Sequence, residues 1–153
     1  MSAWSQGAAE IGELLDERTL SRLQDADAGV PSLMARARQQ LASAKSLVEA
    51  DPATAFVIAY DAAKHAGLAL LAEQNLRPTQ AGGHVVIERA LRAQFGGVFS
   101  RFNTLRRRRN ELDYPTSEED FADADEACKA IRDAEELVES AQKILDQGVL
   151  TTF

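Results

Sequence analysis

The sequence predicts an all-α domain: an up-down antiparallel bundle of four to five helices, preceded by an N-terminal helix or arm. Three observations predict it. Hydrophobic residues make up 45% of the 153 residues but aromatic ones only 6%. Alanine fills much of the difference, so the core has to be built from closely approaching helices rather than large side chains, and an all-β fold is disfavoured. Apolar residues recur at three- and four-residue spacing through most of the chain. Proline, glycine and aspartate punctuate it so that the connections are short, which favours antiparallel neighbours. A chain of this length suits one domain and is too short for two comfortable ones.

Residues 1–30 admit two readings. Ile11, Leu14, Leu15, Leu20 and Leu23 line an amphipathic helix of imperfect spacing, flanked by glycine and serine, so the segment is either a docked or partner-seeking helix or a mobile arm. An exposed Trp4 in it would anchor a partner. Pro31-Ser32 opens the first clear helix, with Met34, Ala37, Leu41, Ala44 and Val48 at helical spacing and an end near Ala50. Asp51-Pro52 is an N-cap with proline at the first helical position, starting a second helix that runs to about Gln74. Phe56, Ile58, Ala59, Ala62, Ala63, Ala66, Ala69, Leu70 and Leu71 make it apolar around most of its circumference, so it should be the central element.

From Arg77 to Gly83 the residues have turn chemistry and no periodicity, and an exposed loop is expected. A short helix from about His84 to Phe95 should bury some combination of Val85, Ile87, Leu91 and Phe95, ending at Gly96-Gly97. The next runs from about Val98 to Asp113 and stops before Pro115, because proline disfavours helical geometry in the residue preceding it. Ser117, with Asp120 at the third position, then caps a long final helix striped by Phe121, Ala124, Cys128, Ile131, Val138, Ala141 and Leu145 and terminated by Gly148. The organisation read from these signals is an arm or helix over 1–30, a bundle over 31–148 and a tail over 149–153.

The formal charge is −7, which by itself speaks against a nucleic-acid partner. Its distribution does not. Residues 1–31 carry two basic and six acidic groups, residues 32–114 twelve and seven, and residues 115–153 three and eleven. A basic centre between acidic ends permits a local phosphate-binding patch. The acid-rich stretch holding Glu118, Glu119, Asp120, Asp123, Asp125 and Glu126 suits the positive end of a helix dipole. The single cysteine, Cys128, cannot form an intrachain disulfide and reads as a small buried hydrophobe. No basic region followed by an apolar run opens the chain, and no stretch reaches the ~18 apolar residues of a membrane span. A cytoplasmic location is expected. His65 and His84 are the only histidines, without the cysteine spacing or His-Glu-x-x-His pattern of a zinc site, and no glycine-rich phosphate loop is present. Neither metal nor cofactor is therefore expected.

The most unusual stretch is Arg101 to Pro115. At 100° per residue, Val98, Phe102, Leu105 and Leu112 share one stripe, with Arg109 in its middle. Arg107 points away, Arg101 and Arg108 flank the stripe on one side, and Arg106 and Asp113 on the other. A guanidinium on a core face needs an anion, since burying it alone costs several kcal/mol. Asp113, four residues on, and Asp61 on the second helix are the candidates. In one reading the arginine and carboxylate only lock helix packing; in another, Arg109 lines a groove or subunit interface open to phosphate. His65 lies four residues after Asp61, which allows an Asp–His contact along that helix, while His84 after Gly82-Gly83 reads as the start or cap of its helix.

Arg109-Asn110-Glu111-Leu112-Asp113-Tyr114 resembles the signature that ends the penultimate long helix of HEPN (higher eukaryotes and prokaryotes nucleotide-binding) domains. In ribonuclease members an arginine, usually followed by a polar residue such as asparagine, precedes a histidine by four to six positions. This chain is closer to the variant in which Asp-Tyr follows the arginine. The family's element order matches residues 32–147, and the run Ala59-Tyr60-Asp61-Ala62-Ala63-Lys64-His65-Ala66, with Arg77-Pro78-Thr79 and Gly82-Gly83-His84, looks like an actinobacterial-type subgroup.

The resemblance implies an often RNA-directed module, with a homodimer and an RNA, antitoxin or other protein partner, and no membrane. Arg109, Asp113 and Tyr114 would hold the catalytic positions and Arg106, Arg108, Arg109 and Asn110 the ligand contacts, with Asp61 and His65 in support. Tyr114, Pro115 and Thr116 occupy the places where the family has its histidine. A phenol is a poor base near neutrality, and arginine binds phosphate without replacing proton transfer. Three functions compete: a module binding RNA or another phosphate-bearing ligand with weak or absent cleavage, a metal-independent endoribonuclease toxin of a toxin–antitoxin or phage-defence system, and a non-catalytic protein-interaction domain.

Overall fold

A computed structural model describes residues 4–24 and 29–153; of the N-terminal segment 1–30, residues 1–3 and 25–28 lie outside the described residues. In chain order the elements are α1 (Ala8–Asp16), β1 (Leu20–Arg22), α2 (Val30–Leu47), α3 (Pro52–Glu73), β2 (Leu76–Pro78), α4 (Gly83–Phe95), α5 (Ser100–Asp113) and α6 (Ala124–Gln147). Short 3-10 turns occupy Gly96–Phe99 and Glu118–Asp120. The fold is the all-α bundle expected, with one two-stranded ribbon beside it.

The bundle is organised around α3. Asp51 caps it, accepting from the Thr54 amide at 3.1 Å, and Pro52 supplies a preset first turn. Its buried residues, from Ala55 to Ala72, cover most of its circumference, leaving Asp61, Lys64 and His65 on a half-buried strip, and it packs against α2, α6, α5 and α4. Small side chains make this crowding feasible: an ideal Cβ on Gly67 would sit 2.5 Å from Leu91 Cδ1, so α4 crosses α3 over a glycine. Among the described residues α3 is also the one helix apolar enough over 18 residues to cross a membrane. Of that stretch 67% is buried in the bundle, so its hydrophobicity is absorbed by the core. That qualifies the expectation that no stretch reaches the ~18 apolar residues of a membrane span.

For residues 8–16 the docked helix is what forms. Ile11 and Leu14 are fully buried, α1 lies on α4, and Arg89 reaches across to Glu10 at 2.7 Å and Glu17 at 3.3 Å. Trp4 is not an exposed anchor: its ring stacks on Phe95 at 5.6 Å and its Nε1 donates to Gln94 Oε1 at 2.9 Å.

Three local expectations need correction. The loop after α3 begins as a strand: β2 pairs antiparallel with β1, Ser21 opposite Arg77, and Leu20 and Leu76 are both 1% exposed. A strand of three residues is too short to show a period, and its partner lies 56 residues away in sequence. In α4 the expected burial holds for Ile87, Leu91 and Phe95, with Val86 added and Val85 exposed. Val98 leaves the expected stripe because it lies in the 3-10 turn before α5, where tighter winding turns it to solvent. Ser117 and Asp120 do form a capping box, but on the separate 3-10 turn; α6 starts later, capped by Asp123 accepting from the Glu126 amide at 2.8 Å, which leaves Phe121 exposed in the connection. Gly148 closes α6.

Candidate functional site

Four of the five α5 arginines divide between two sides of the helix, and Arg107 is exposed. Towards α6, Arg101 pairs with Asp133 at 3.3 Å and with Glu136. Arg108 donates through Nε to Glu126 at 2.6 Å, through Nη1 to Glu111 at 3.1 Å and through Nη2 to the Asp120 carbonyl at 2.8 Å. Towards α3, Arg109 donates through Nη1 to Asp113 Oδ2 at 2.5 Å and lays its guanidinium over the Tyr60 ring, 6.0 Å from its centroid. Arg106, on the same side, donates to Asn103 Oδ1 from Nε and Nη2 at 3.2 and 2.8 Å. Of the two carboxylates within the sequence's reach, Asp113 is the one that meets Arg109. Asp61 instead faces Lys64 at 3.5 Å.

Tyr60 is the floor of this region. It is wholly buried, stacked against Phe102 with centroids 5.4 Å apart, and its hydroxyl lies 2.8 Å from His84 Nδ1. Burial holds its pKa well above the usual phenolic range, against the opposing pull of Arg109 and Arg106, so the proton stays on oxygen. His84 begins α4. Burial lowers its pKa, and Lys64 and Arg109 act in the same direction, so the ring is neutral near pH 7. Its position is set from the N-terminal side of the chain. The Thr79 amide donates to the Thr19 carbonyl at 3.0 Å, and Thr79 Oγ1 to the Arg18 carbonyl at 2.8 Å. Gly82 passes so close that a Cβ would lie 2.5 Å from the Thr19 oxygen.

Arg109, Arg106, Lys64, Tyr60 and His84 thus share one region, and Asp113 belongs to it through its ion pair. The other expected residues are placed elsewhere. Tyr114 is 83% exposed, because α5 ends at Asp113 and nothing packs the ring; no hydrogen bond, ion pair or ring contact joins it to Arg109 among the described residues. Asn110 is exposed and lines a different surface groove with Tyr114, Arg108, Thr116 and Asp120. Arg108 is engaged on the α6 side. His65 meets Asp61 through the backbone, its Nδ1 2.8 Å from the Asp61 carbonyl oxygen, and not through the carboxylate. Sequence reasoning missed Tyr60 and His84. Their only signals were a polar residue inside an alanine run and a histidine after two glycines, and neither spacing shows that the two meet.

Both histidines are neutral because burial depresses their pKa values. Between those lowered values and roughly 6.5, the unfolded chain binds more protons than the folded one. Their contribution to stability is therefore present in full above about 6.5 and shrinks as pH falls towards the folded values. Urea midpoints measured at about pH 7.5 and about pH 5.5 should fall with acidification, and the His65→Gln/His84→Gln double variant should show a smaller fall. An unchanged fall in the double variant would assign it to other groups.

Among the described residues no group of three or more histidine, cysteine, aspartate or glutamate side chains is arranged to hold a metal ion. In comparison with known proteins, the HEPN domain family model matches residues 30–145. No curated protein and no solved structure matches the chain.

Proposed function

Since this chain belongs to the HEPN domain family, we propose that it is a helical module, acting as a homodimer, which binds RNA or another phosphate-bearing ligand at Arg109 with little or no ribonuclease activity. The observation that carries the reading is the state of the Arg109 guanidinium. It is a quarter exposed, rests on the Tyr60 ring, and spends one of its five N–H donors on Asp113. Its Nε is buried without a hydrogen-bond partner among the described residues. Arg106 and Lys64 add positive charge to the same region, felt by His84. A phosphate oxyanion is the ligand such a donor set suits, because charge-assisted hydrogen bonds from a planar guanidinium match its geometry. Proton transfer is another matter. Tyr114, at the family's histidine position, is held in solvent, and binding without efficient cleavage is the consistent outcome. The variant-motif subgroup and an antitoxin or other protein partner belong to this proposal as well.

The test is the salt dependence of binding to a fluorescein-labelled single-stranded oligoribonucleotide, read by anisotropy. Affinity should fall as salt rises, with about 0.7 of slope for each phosphate contact. Arg106→Ala should flatten that slope. Arg108→Ala should leave it unchanged, because Arg108 is committed to Glu126, Glu111 and Asp120. The same incubations, metal-free and resolved on a gel, should show intact RNA. Robust cleavage lost in Arg109→Ala would favour the toxin reading, and absence of binding at low salt would leave the interaction-domain reading.

A further inference from the structure

We propose that His84 is the ligand-orienting donor of the Arg109 site, held by the buried Tyr60 hydroxyl in the tautomer that presents Nε2–H. The inference rests on the phosphate-binding reading of Arg109 and adds to it a residue from outside the arginine helix.

The argument starts from Tyr60. Its hydroxyl is buried, and His84 Nδ1 at 2.8 Å is its one hydrogen-bond partner among the described residues. A hydroxyl both donates and accepts, but a buried O–H proton without an acceptor costs more than an unused lone pair. Tyr60 therefore donates, and Nδ1 accepts. A neutral imidazole carries one proton, so with Nδ1 unprotonated the proton sits on Nε2. Protonating the ring would put a second donor against the Tyr60 O–H and orphan that proton. This opposes the charged form in addition to burial.

Nε2 has no hydrogen-bond partner among the described residues, and the residue is only partly buried. The ring stands beside Tyr60, with centroids 5.5 Å apart, and Arg109 covers the same phenol. Charged groups acting on His84 are Lys64 and Asp61 from α3 and Arg106 and Arg109 from α5. Three of the four are cations, and Asp61 is paired with Lys64. A neutral N–H donor among cations suits an oxyanion: it adds a hydrogen bond from a ring of fixed direction without adding charge, which the flexible ammonium of Lys64 supplies poorly. The phosphate of a nucleotide unit, free or within RNA, is the shared chemistry.

The position is also a built one. Thr79 and Gly82 hold the start of α4 against the Arg18 and Thr19 carbonyls. The segment before residue 30, outside the family match, thereby fixes where His84 stands.

The experiment uses the full chain, with the labelled oligoribonucleotide and a nucleoside monophosphate as parallel probes. Imidazole nitrogen NMR of the free protein should show His84 with its proton on Nε2. Tyr60→Phe, which removes only the hydroxyl and keeps the ring packing, should mix the tautomers and raise the His84 titration midpoint. His84→Ala should weaken either probe about tenfold. His84→Gln, whose amide donates without charge, should recover part of that loss. Because the donor is neutral, His84→Ala at about pH 8 should leave the salt slope of RNA binding unchanged, unlike Arg106→Ala. A His84→Ala variant that binds like the unaltered protein while Arg109→Ala does not overturns this inference and leaves the phosphate reading standing. An Nδ1-protonated tautomer overturns it as well. Failure of the unaltered protein to bind either probe overturns both.

Discussion

Replacing Arg109 with alanine is expected to weaken RNA binding about tenfold or more with the bundle still folded, whereas Asp113→Asn is expected to strengthen it several-fold. The opposite signs follow from the geometry. Asp113 holds one guanidinium donor at 2.5 Å and stands where a phosphate oxygen would compete. Removing its charge while keeping its shape frees the arginine for an external anion. The pair is not buried, with the two side chains 25% and 41% exposed, so the bridge itself contributes only ~0.3–1 kcal/mol to folding. The cation over the Tyr60 ring adds ~0.5–1 kcal/mol more. A loss of about 1–2 kcal/mol on Arg109→Ala is small beside the ~5–15 kcal/mol of a typical domain. Anisotropy and urea denaturation on the same samples read both effects. If the arginine only locks α5, Asp113→Asn will lower stability and leave RNA binding no tighter, and the site reading fails.

Tyr60→Ala should be the most damaging single change in the region, costing about 3–5 kcal/mol. The side chain is wholly buried, its ring fills the space between Phe102 and His84, and α3 at this point touches neighbours on several sides. Neighbouring helices cannot collapse onto the hole without disturbing the close α3–α4 crossing at Gly67. At roughly 2–4 °C per kcal/mol for a chain of this size, the melting temperature should drop by roughly 10 °C. Tyr60→Phe should cost only about 1 kcal/mol, the net value of one hydrogen bond. A calorimetric scan distinguishes the two variants, and near-equal losses would mean that the hydroxyl, not the ring, carries the site's stability.

The fold was legible where its signals are local. Asp51-Pro52, Gly96 and Gly148 bound helices as their chemistry requires. The apolar residues around most of the circumference of residues 52–73 marked the central helix, because a helix with neighbours on most sides keeps only a narrow polar strip, here Asp61, Lys64 and His65. Signals failed where a few residues answer to distant ones. The strand at Leu76–Pro78 exists through pairing with Leu20–Arg22, and the turn at Gly96–Phe99 displaced Val98 from a stripe that assumed uninterrupted α-helical winding.

For the site, helical arithmetic put Arg109 on the inward face with Asp113 one turn away, and both stand there. It also set Arg106 and Arg108 on opposite flanks, but a wheel does not say which flank another helix covers. The tertiary structure decided that. α6 claims Arg108 through Glu126, while the Arg106 flank is turned towards α3.

What the sequence determined by itself is the all-α bundle, its central helix and an arginine that must find an anion, because periodicity, capping and the cost of an unpaired charge are properties of neighbours along the chain. What only the tertiary structure decided is that Tyr60 and His84, 24 residues apart, form a partly buried hydrogen bond beside that arginine while Tyr114 stays in water. Such a meeting depends on how α3, α4 and α5 cross, and those crossings are set by the summed packing of the whole core, which no single spacing encodes.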